Sequence, residues 1–175
     1  MKIRASLYIN EQSSKLVLFP VLSETVDHLL LKLSSALFFS GSAPIISPSS
    51  QHPTLRDQDF VPDVMALNEA GELILWVECG KTTPHKLSKV SKRFRQARVI
   101  VLTALPREGQ QMADTLDAEA IARVQVWTFG EGEFARWSAL VGEANELIGE
   151  ATETSLNLVL NDQPFMTELQ KIRTF

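Results

Sequence analysis

Apolar and polar positions along the chain predict alternating strands and helices. The runs 2–9 and 15–21 suit strands, and the polar stretch 10–14 between them predicts a β-hairpin. A helix is predicted from Ser23, its N-cap, to about Phe39, with acidic residues in its first turn. Its apolar stripe consists of Val26, Leu29, Leu30, Leu33, Ala36 and Leu37. The N-terminal third is therefore expected to be a hairpin followed by an amphipathic helix.

The rest of the chain continues the alternation. Further strands are predicted at 61–67, 72–79, 98–102, 124–129 and 155–161, and a final short strand or tail at 164–170. Further helices are predicted at 84–96, 108–122 and 132–149. Thr83 and Pro84 suit the N-cap and first position of the helix at 84–96. This order predicts an α/β fold with a mixed central sheet flanked by helices.

Length and composition predict a single domain over residues 1–175. Apolar residues make up 45% of the chain, which is enough for a sizeable core, and 22% of the residues are charged. The segment 41–58 is rich in Ser and Pro and predicts a flexible loop. No apolar run approaches the roughly 20 residues that span a bilayer, so no membrane contact is expected. The single cysteine, Cys79, excludes an internal disulfide and favours a cytoplasmic protein.

Charge is unevenly distributed along the chain. The net charge of −4 argues against a protein that coats nucleic acid through bulk charge. From Cys79 to Arg107, however, there are eight basic residues and no acidic one. This block predicts either an anion-binding surface or an ordinary solvated helix face.

The predicted hairpin of strands 61–67 and 72–79 carries the candidate chemistry. If Asn68 pairs with Gly71 across the turn, Asp63 and Glu78 become diagonal neighbours on one face of the sheet. Diagonal Cβ atoms lie roughly 7–8 Å apart, close enough for both carboxylates to bind one divalent cation. Glu78 shares its face with Trp76, where an unpaired charge would be costly. Structural alternatives are a strand-edge role for Asp63 and an ion pair between Glu78 and the basic helix.

Four short motifs resemble a known family. They are Ser23-Glu24-Thr25, Pro62-Asp63, Trp76-Val77-Glu78-Cys79-Gly80 and His85-Lys86-Leu87. In order and spacing over residues 1–170 they resemble a divergent member of the YaeQ family, within the PD-(D/E)XK nuclease superfamily. The resemblance implies a restriction endonuclease-like fold with an N-terminal β-hairpin. It also implies Mg²⁺ or Mn²⁺ bound by Glu24, Asp63 and Glu78, although Glu24 alternatively only stabilises a helix N-terminus.

The sequence departs from the superfamily at the lysine that usually stands two residues after the second acid. That position is Gly80 here. Lys81 is one replacement if the strand ends at the glycine. The others are Lys86 and Lys89, which share one helix face with Arg93. The sequence leaves the choice among these three lysines open.

Two functions follow from these observations and the resemblance. The first is a metal-dependent phosphodiesterase acting on nucleic acid, with Asp63, Glu78 and one of Lys81, Lys86 and Lys89 as catalytic residues. In that case phosphates would be contacted by Lys86, Lys89, Lys92, Arg93 and Arg95. The second is a catalytically inactive nuclease-fold module that binds a protein or nucleic-acid partner. Gly80 and the acidic net charge favour this second function.

Overall fold

Two mixed β-sheets and a set of helices make up the fold in the computed structural model, which describes residues 1–173. The strands are β1 Ile3–Ile9, β2 Gln12–Leu18, β3 Ile45–Ile46, β4 Val64–Leu67, β5 Leu73–Cys79, β6 Arg98–Thr103, β7 Val124–Thr128, β8 Ala144–Ala151, β9 Ser155–Leu160, β10 Gln163–Glu168 and β11 Gln170–Arg173. The α-helices are α1 Val26–Phe38, α2 Pro84–Arg93, α3 Pro106–Thr115, α4 Ala118–Ile121 and α5 Glu133–Leu140. In residues 1–173 no helix is both long enough and apolar enough to cross a membrane.

The two sheets enclose a middle layer of helices. One sheet has the strand order β10-β9-β8-β1-β2 and the other has the order β11-β7-β6-β5-β4-β3. The main core joins the inner face of each sheet to the apolar side chains of α1 and α5. A second core packs α2, α3 and α4 on the opposite face of the six-stranded sheet. The α/β class and a mixed sheet flanked by helices are confirmed, since the six-stranded sheet has helices on both faces; the second sheet was not predicted.

Helix α1 is buried on nearly all sides because it lies between the sheets. Its predicted apolar stripe is buried from Leu29 to Leu37, whereas Val26 is exposed, and Leu31, Ser34 and Phe38 are buried as well. The N-cap is Thr25, whose hydroxyl accepts from the His28 amide, and not Ser23. Ser23 instead has a positive φ of 70° in the turn before the helix. Of the two acids predicted in the first turn, Asp27 lies there, whereas Glu24 precedes the cap.

The N-terminal hairpin is confirmed, with a tighter turn than the predicted 10–14 loop. Ile9 pairs directly with Gln12, which leaves only Asn10 and Glu11 in the turn. Both have positive φ, at 52° and 65°, as a two-residue type I′ turn requires. The turn is braced from β8, because the Asn10 side chain donates to the Ala151 carbonyl at 2.9 Å.

Three other predicted segments differ from the structure. The predicted helix at 132–149 is only α5, and strand β8 follows it, because buried and exposed side chains alternate along 144–151 with the period of a strand. The predicted helix at 108–122 is divided by Leu116 and Asp117, which caps α4. The 41–58 segment contains β3, which pairs with β4, and a fully buried Leu55.

The hairpin of β4 and β5 is antiparallel as predicted, but its register differs by two residues. Asn68 pairs with Glu72 and not with Gly71, because its side chain accepts from the amides within the turn. A bulge on β5 shifts the register by one further residue, so that Met65 lies opposite Trp76. The register from which Asp63 and Glu78 were predicted to be diagonal neighbours on one face was therefore wrong. Asp63 lies before the start of β4, and its carboxylate contacts His28 and Lys32 of α1, whereas Glu78 contacts Lys86 of α2.

Candidate functional site

Glu24 and Asp63 meet at the N-terminal end of α1. His28 and Lys32 are four residues apart on one side of α1, and Glu24, just before the N-cap, contacts both of them. His28 lies between the two acids, with Nδ1 3.0 Å from Glu24 Oε1 and Nε2 2.9 Å from Asp63 Oδ1. Carboxylates only accept hydrogen bonds, so this position suits an imidazolium ring with an N–H on both sides.

Lys32 brings a second cation to the same two acids from within the core. Its ammonium lies 2.6 Å from Glu24 Oε1 and 3.6 Å from Asp63 Oδ1, and it donates to the Ser47 hydroxyl at 3.0 Å. The side chains of Lys32 and Glu24 are 7% and 1% exposed. A buried lysine at such a position needs a partner of opposite charge. The pocket thus combines two carboxylates with two groups that can carry positive charge.

Backbone contacts fix both carboxylates. Glu24 Oε2 accepts from the Val21 amide at 3.0 Å, and Asp63 Oδ2 accepts from the Cys79 amide at 2.8 Å. Burial by itself would raise the pKa of Asp63. The contact with His28, the Cys79 amide and the positive charge of His28 and Lys32 outweigh it and lower the pKa. Asp63 is therefore held in its ionised form.

Glu78 is held by a different set of groups, on the other face of the six-stranded sheet. Its Oε1 accepts from the Trp76 indole at 2.6 Å, and Lys86 Nζ lies 2.7 and 2.9 Å from its two oxygens. The same ammonium donates to the Val61 carbonyl at 3.0 Å. Burial raises the pKa of Glu78, and the nearby charge of Asp63 adds to this; the charge and hydrogen bond of Lys86 oppose it. Glu78 therefore depends on Lys86 for its charged form.

The three predicted metal ligands lie near one another, but each carboxylate already contacts a basic side chain of the chain. Glu24 and Asp63 share cationic side chains from α1, whereas Glu78 pairs with Lys86 of α2, which packs on the opposite face of the sheet. Every oxygen of the three carboxylates faces a basic side chain, the Trp76 indole or a backbone amide. In residues 1–173 no group of three or more His, Cys, Asp or Glu side chains is arranged to hold a metal ion. This arrangement does not fit Mg²⁺ or Mn²⁺, which would have to displace a cation of the protein.

The structure separates the three candidate lysines. Lys86 is largely buried against Glu78, and its backbone amide donates to the N-cap Thr83. Lys89 lies on the surface, with 54% of its side chain exposed, 3.9 Å from Asp59. Lys81, after the strand end at Gly80, is exposed. Lys86 is thus the lysine of the three that contacts an acid of the predicted site.

The remaining predicted nucleic-acid ligands lie on the exposed side of α2 and just beyond it. Lys92 is exposed and pairs with Glu119 of α4. The guanidinium of exposed Arg93 can donate to the amide oxygen of Gln58, with Nε at 2.7 Å. Arg95 follows the helix and is also exposed. Together with Lys89, these side chains form the exposed basic surface of α2 (Lys89, Lys92, Arg93 and Arg95).

His28, Lys32 and Ser47 belong to the site but were not predicted. Both missed α1 side chains follow Glu24 at intervals of four residues, which is a signal that the sequence contains. Ser47 gave no such signal, because its position depends on the pairing of β3 with β4.

Comparison with solved structures identifies the fold. The YaeQ protein from Xanthomonas axonopodis pv. citri matches with a TM-score of 0.73 and 14% identity, covering 99% of this chain and 98% of that chain. The YaeQ protein from Pseudomonas syringae matches with a TM-score of 0.71 and 14% identity, covering 99% and 95%. No family model and no curated protein sequence matches the chain. The chain therefore has the fold of YaeQ proteins, while the superfamily assignment stays a prediction.

Proposed function

We propose that this protein is a nuclease-like module that binds nucleic acid through the exposed basic surface of α2 and does not cleave it. One observation carries the non-cleaving part: the carboxylates that would hold a metal are paired with lysines of the same chain. Lys32 lies against Glu24 and Asp63, and Lys86 lies against Glu78. A metal-dependent phosphodiesterase needs those oxygens for its cation.

The binding part is supported by the charge of α2 that remains exposed. Lys89, Arg93 and Arg95 are exposed on or just after the helix, and Lys89 has only a long contact to an acid. Long cationic side chains on one exposed surface suit contacts to phosphates, which are independent of base sequence. Lys86 is not expected to contribute directly, since it is turned inward to Glu78.

Binding is tested by fluorescence anisotropy with labelled single- and double-stranded DNA and RNA at about 50 mM salt, where phosphate contacts are strong. We compare the wild type with Lys89→Ala/Arg93→Ala/Arg95→Ala. A control variant, Lys2→Ala/Arg4→Ala/Lys15→Ala, removes the same charge from exposed residues of the first hairpin. The α2 variant should bind about tenfold or more weakly with a shallower salt slope, whereas the control should bind nearly as the wild type.

The same oligonucleotides, incubated with Mg²⁺ or Mn²⁺, test the absence of cleavage. We expect no cleavage by the wild type. Cleavage that disappears in Glu78→Gln would refute the non-cleaving proposal and support the phosphodiesterase. No binding by the wild type, or equal weakening by the two triple variants, would refute the nucleic-acid surface on α2 and favour a protein partner.

A further inference from the structure

We propose that the ammonium of Lys32 is a built-in cation occupying a divalent-cation position between Glu24 and Asp63. Shortening this lysine should convert the pocket into a Mn²⁺ or Mg²⁺ site. This inference concerns how the acidic pocket is neutralised. It stands whether or not α2 binds nucleic acid.

The first support is the position of the ammonium. Lys32 Nζ lies 2.6 Å from one carboxylate and 3.6 Å from the other, with the Ser47 hydroxyl at 3.0 Å. Carboxylate and hydroxyl oxygens around one positive charge are the kinds of ligand that hard divalent cations take. The pocket therefore already surrounds a cation with oxygen atoms, and that cation is a side chain.

The second support is an unsatisfied oxygen. Glu24 Oε1 is buried, with its side chain only 1% exposed, yet it has no hydrogen bond of good geometry despite its short contacts to Lys32 and His28. Buried carboxylate oxygens normally have directed partners. A metal ion imposes no donor–hydrogen angle on its ligands. Glu24 Oε1 is therefore contacted by two cationic groups without a well-directed donor, and a spherical cation at the Lys32 position would satisfy it.

The third support is that each carboxylate is held through its other oxygen, independently of Lys32. The second oxygen of Glu24 accepts from the Val21 amide and that of Asp63 from the Cys79 amide. These backbone contacts should keep both carboxylates oriented when the lysine is shortened. Truncation to alanine would leave room for a hydrated metal ion where the butylammonium chain now lies.

The test compares two substitutions that remove the same charge but leave different space. Lys32→Ala opens the position, while Lys32→Met refills it with an apolar chain of similar length. Mn²⁺ binding is measured by calorimetry and by loss of the free Mn²⁺ signal in electron paramagnetic resonance. Lys32→Ala should bind Mn²⁺ more than about tenfold more tightly than the wild type, because a buried positive charge no longer repels the ion. Lys32→Met should not gain this affinity.

Two further variants decide whether the pocket itself binds the ion. Lys32→Ala/Glu24→Gln should lose the gained affinity, and Lys15→Ala, at an exposed lysine of the first hairpin, should bind Mn²⁺ as the wild type does. Metal binding should also raise the Tm of Lys32→Ala progressively as the Mn²⁺ concentration rises above the Kd, which gives a readout even if that variant is marginally stable. Equal Mn²⁺ affinity of Lys32→Ala and the wild type would overturn the proposal, as would a Lys32→Ala variant that stays unfolded in Mn²⁺. Neither result would affect the proposed binding of nucleic acid to α2.

Discussion

The ion pair of Glu78 and Lys86 is expected to be the most sensitive electrostatic contact of the six-stranded sheet. Lys86→Met keeps the length of the side chain and removes its charge. Glu78 then keeps its hydrogen bond from the Trp76 indole but loses its cationic partner, while its side chain is only 4% exposed. Removing one partner of a buried pair typically costs about 3–5 kcal/mol, since the remaining charge stays desolvated.

The size of this loss should depend on pH. Burial already raises the pKa of Glu78 above its ordinary 4.5, and loss of Lys86 removes the contacts that oppose this rise. In the window above 4.5, the folded state of the variant then binds more protons than the unfolded state, so stability falls as pH rises. Acidification protonates Glu78 and removes the uncompensated charge. The destabilisation should therefore be larger at about pH 7.5 than at about pH 5.

Urea unfolding at the two pH values measures the effect, with Lys89→Met as the matched control. At roughly 2–4 °C per kcal/mol, the expected loss at the higher pH corresponds to a fall in Tm of roughly 6–20 °C. Lys89→Met should change stability by less than about 0.5 kcal/mol, because that lysine is exposed. A loss below about 1 kcal/mol, or an equal loss at both pH values, would refute the assigned dependence of Glu78 on Lys86.

Three further predictions test other parts of the structure. Thr25→Ala should destabilise by about 1 kcal/mol in urea unfolding while Thr25→Ser does not, since the hydroxyl caps α1. Gly149→Ala should cost about 3 kcal/mol or more, because its Cβ would lie 2.2 Å from the Asn157 carbonyl at a φ of +151°; a loss like that of an ordinary surface substitution would contradict this. Asp63 has a pKa below its ordinary 3.8, so it stabilises the fold above that pH and the contribution is lost as pH falls through the lowered pKa. Asp63→Asn should accordingly flatten the acid limb of the stability–pH profile, and an unchanged limb would contradict the assignment.

Local sequence patterns predicted the elements that depend mainly on residues close to them in sequence. The antiparallel pairing of β4 with β5 and the cap of α2 by Thr83 both follow from neighbouring residues and are confirmed. The 144–151 strand was missed because its apolar positions also suit a helix. It forms a strand by pairing with β1, which is distant in sequence, and with β9, which follows it. Pairing between distant segments decided the outcome there. The same limitation hid the second sheet.

The acids of the site and Lys86 were predicted, whereas the two basic side chains of α1, His28 and Lys32, were missed, and the reason is physical. A sequence pattern identifies carboxylates that could share a cation, but it does not say which cation neutralises them. Lys32 interrupts the run Leu29-Leu30-Leu31 and Leu33, and a charge within such a run is either on a solvent-facing stripe or buried with a partner. Lys32 is buried because α1 lies between the two sheets. Its partner is Asp63, which is distant in sequence. A lysine four or eight residues after a candidate metal ligand, within an otherwise apolar helix, is therefore a sequence signal that a carboxylate pocket carries its own cation.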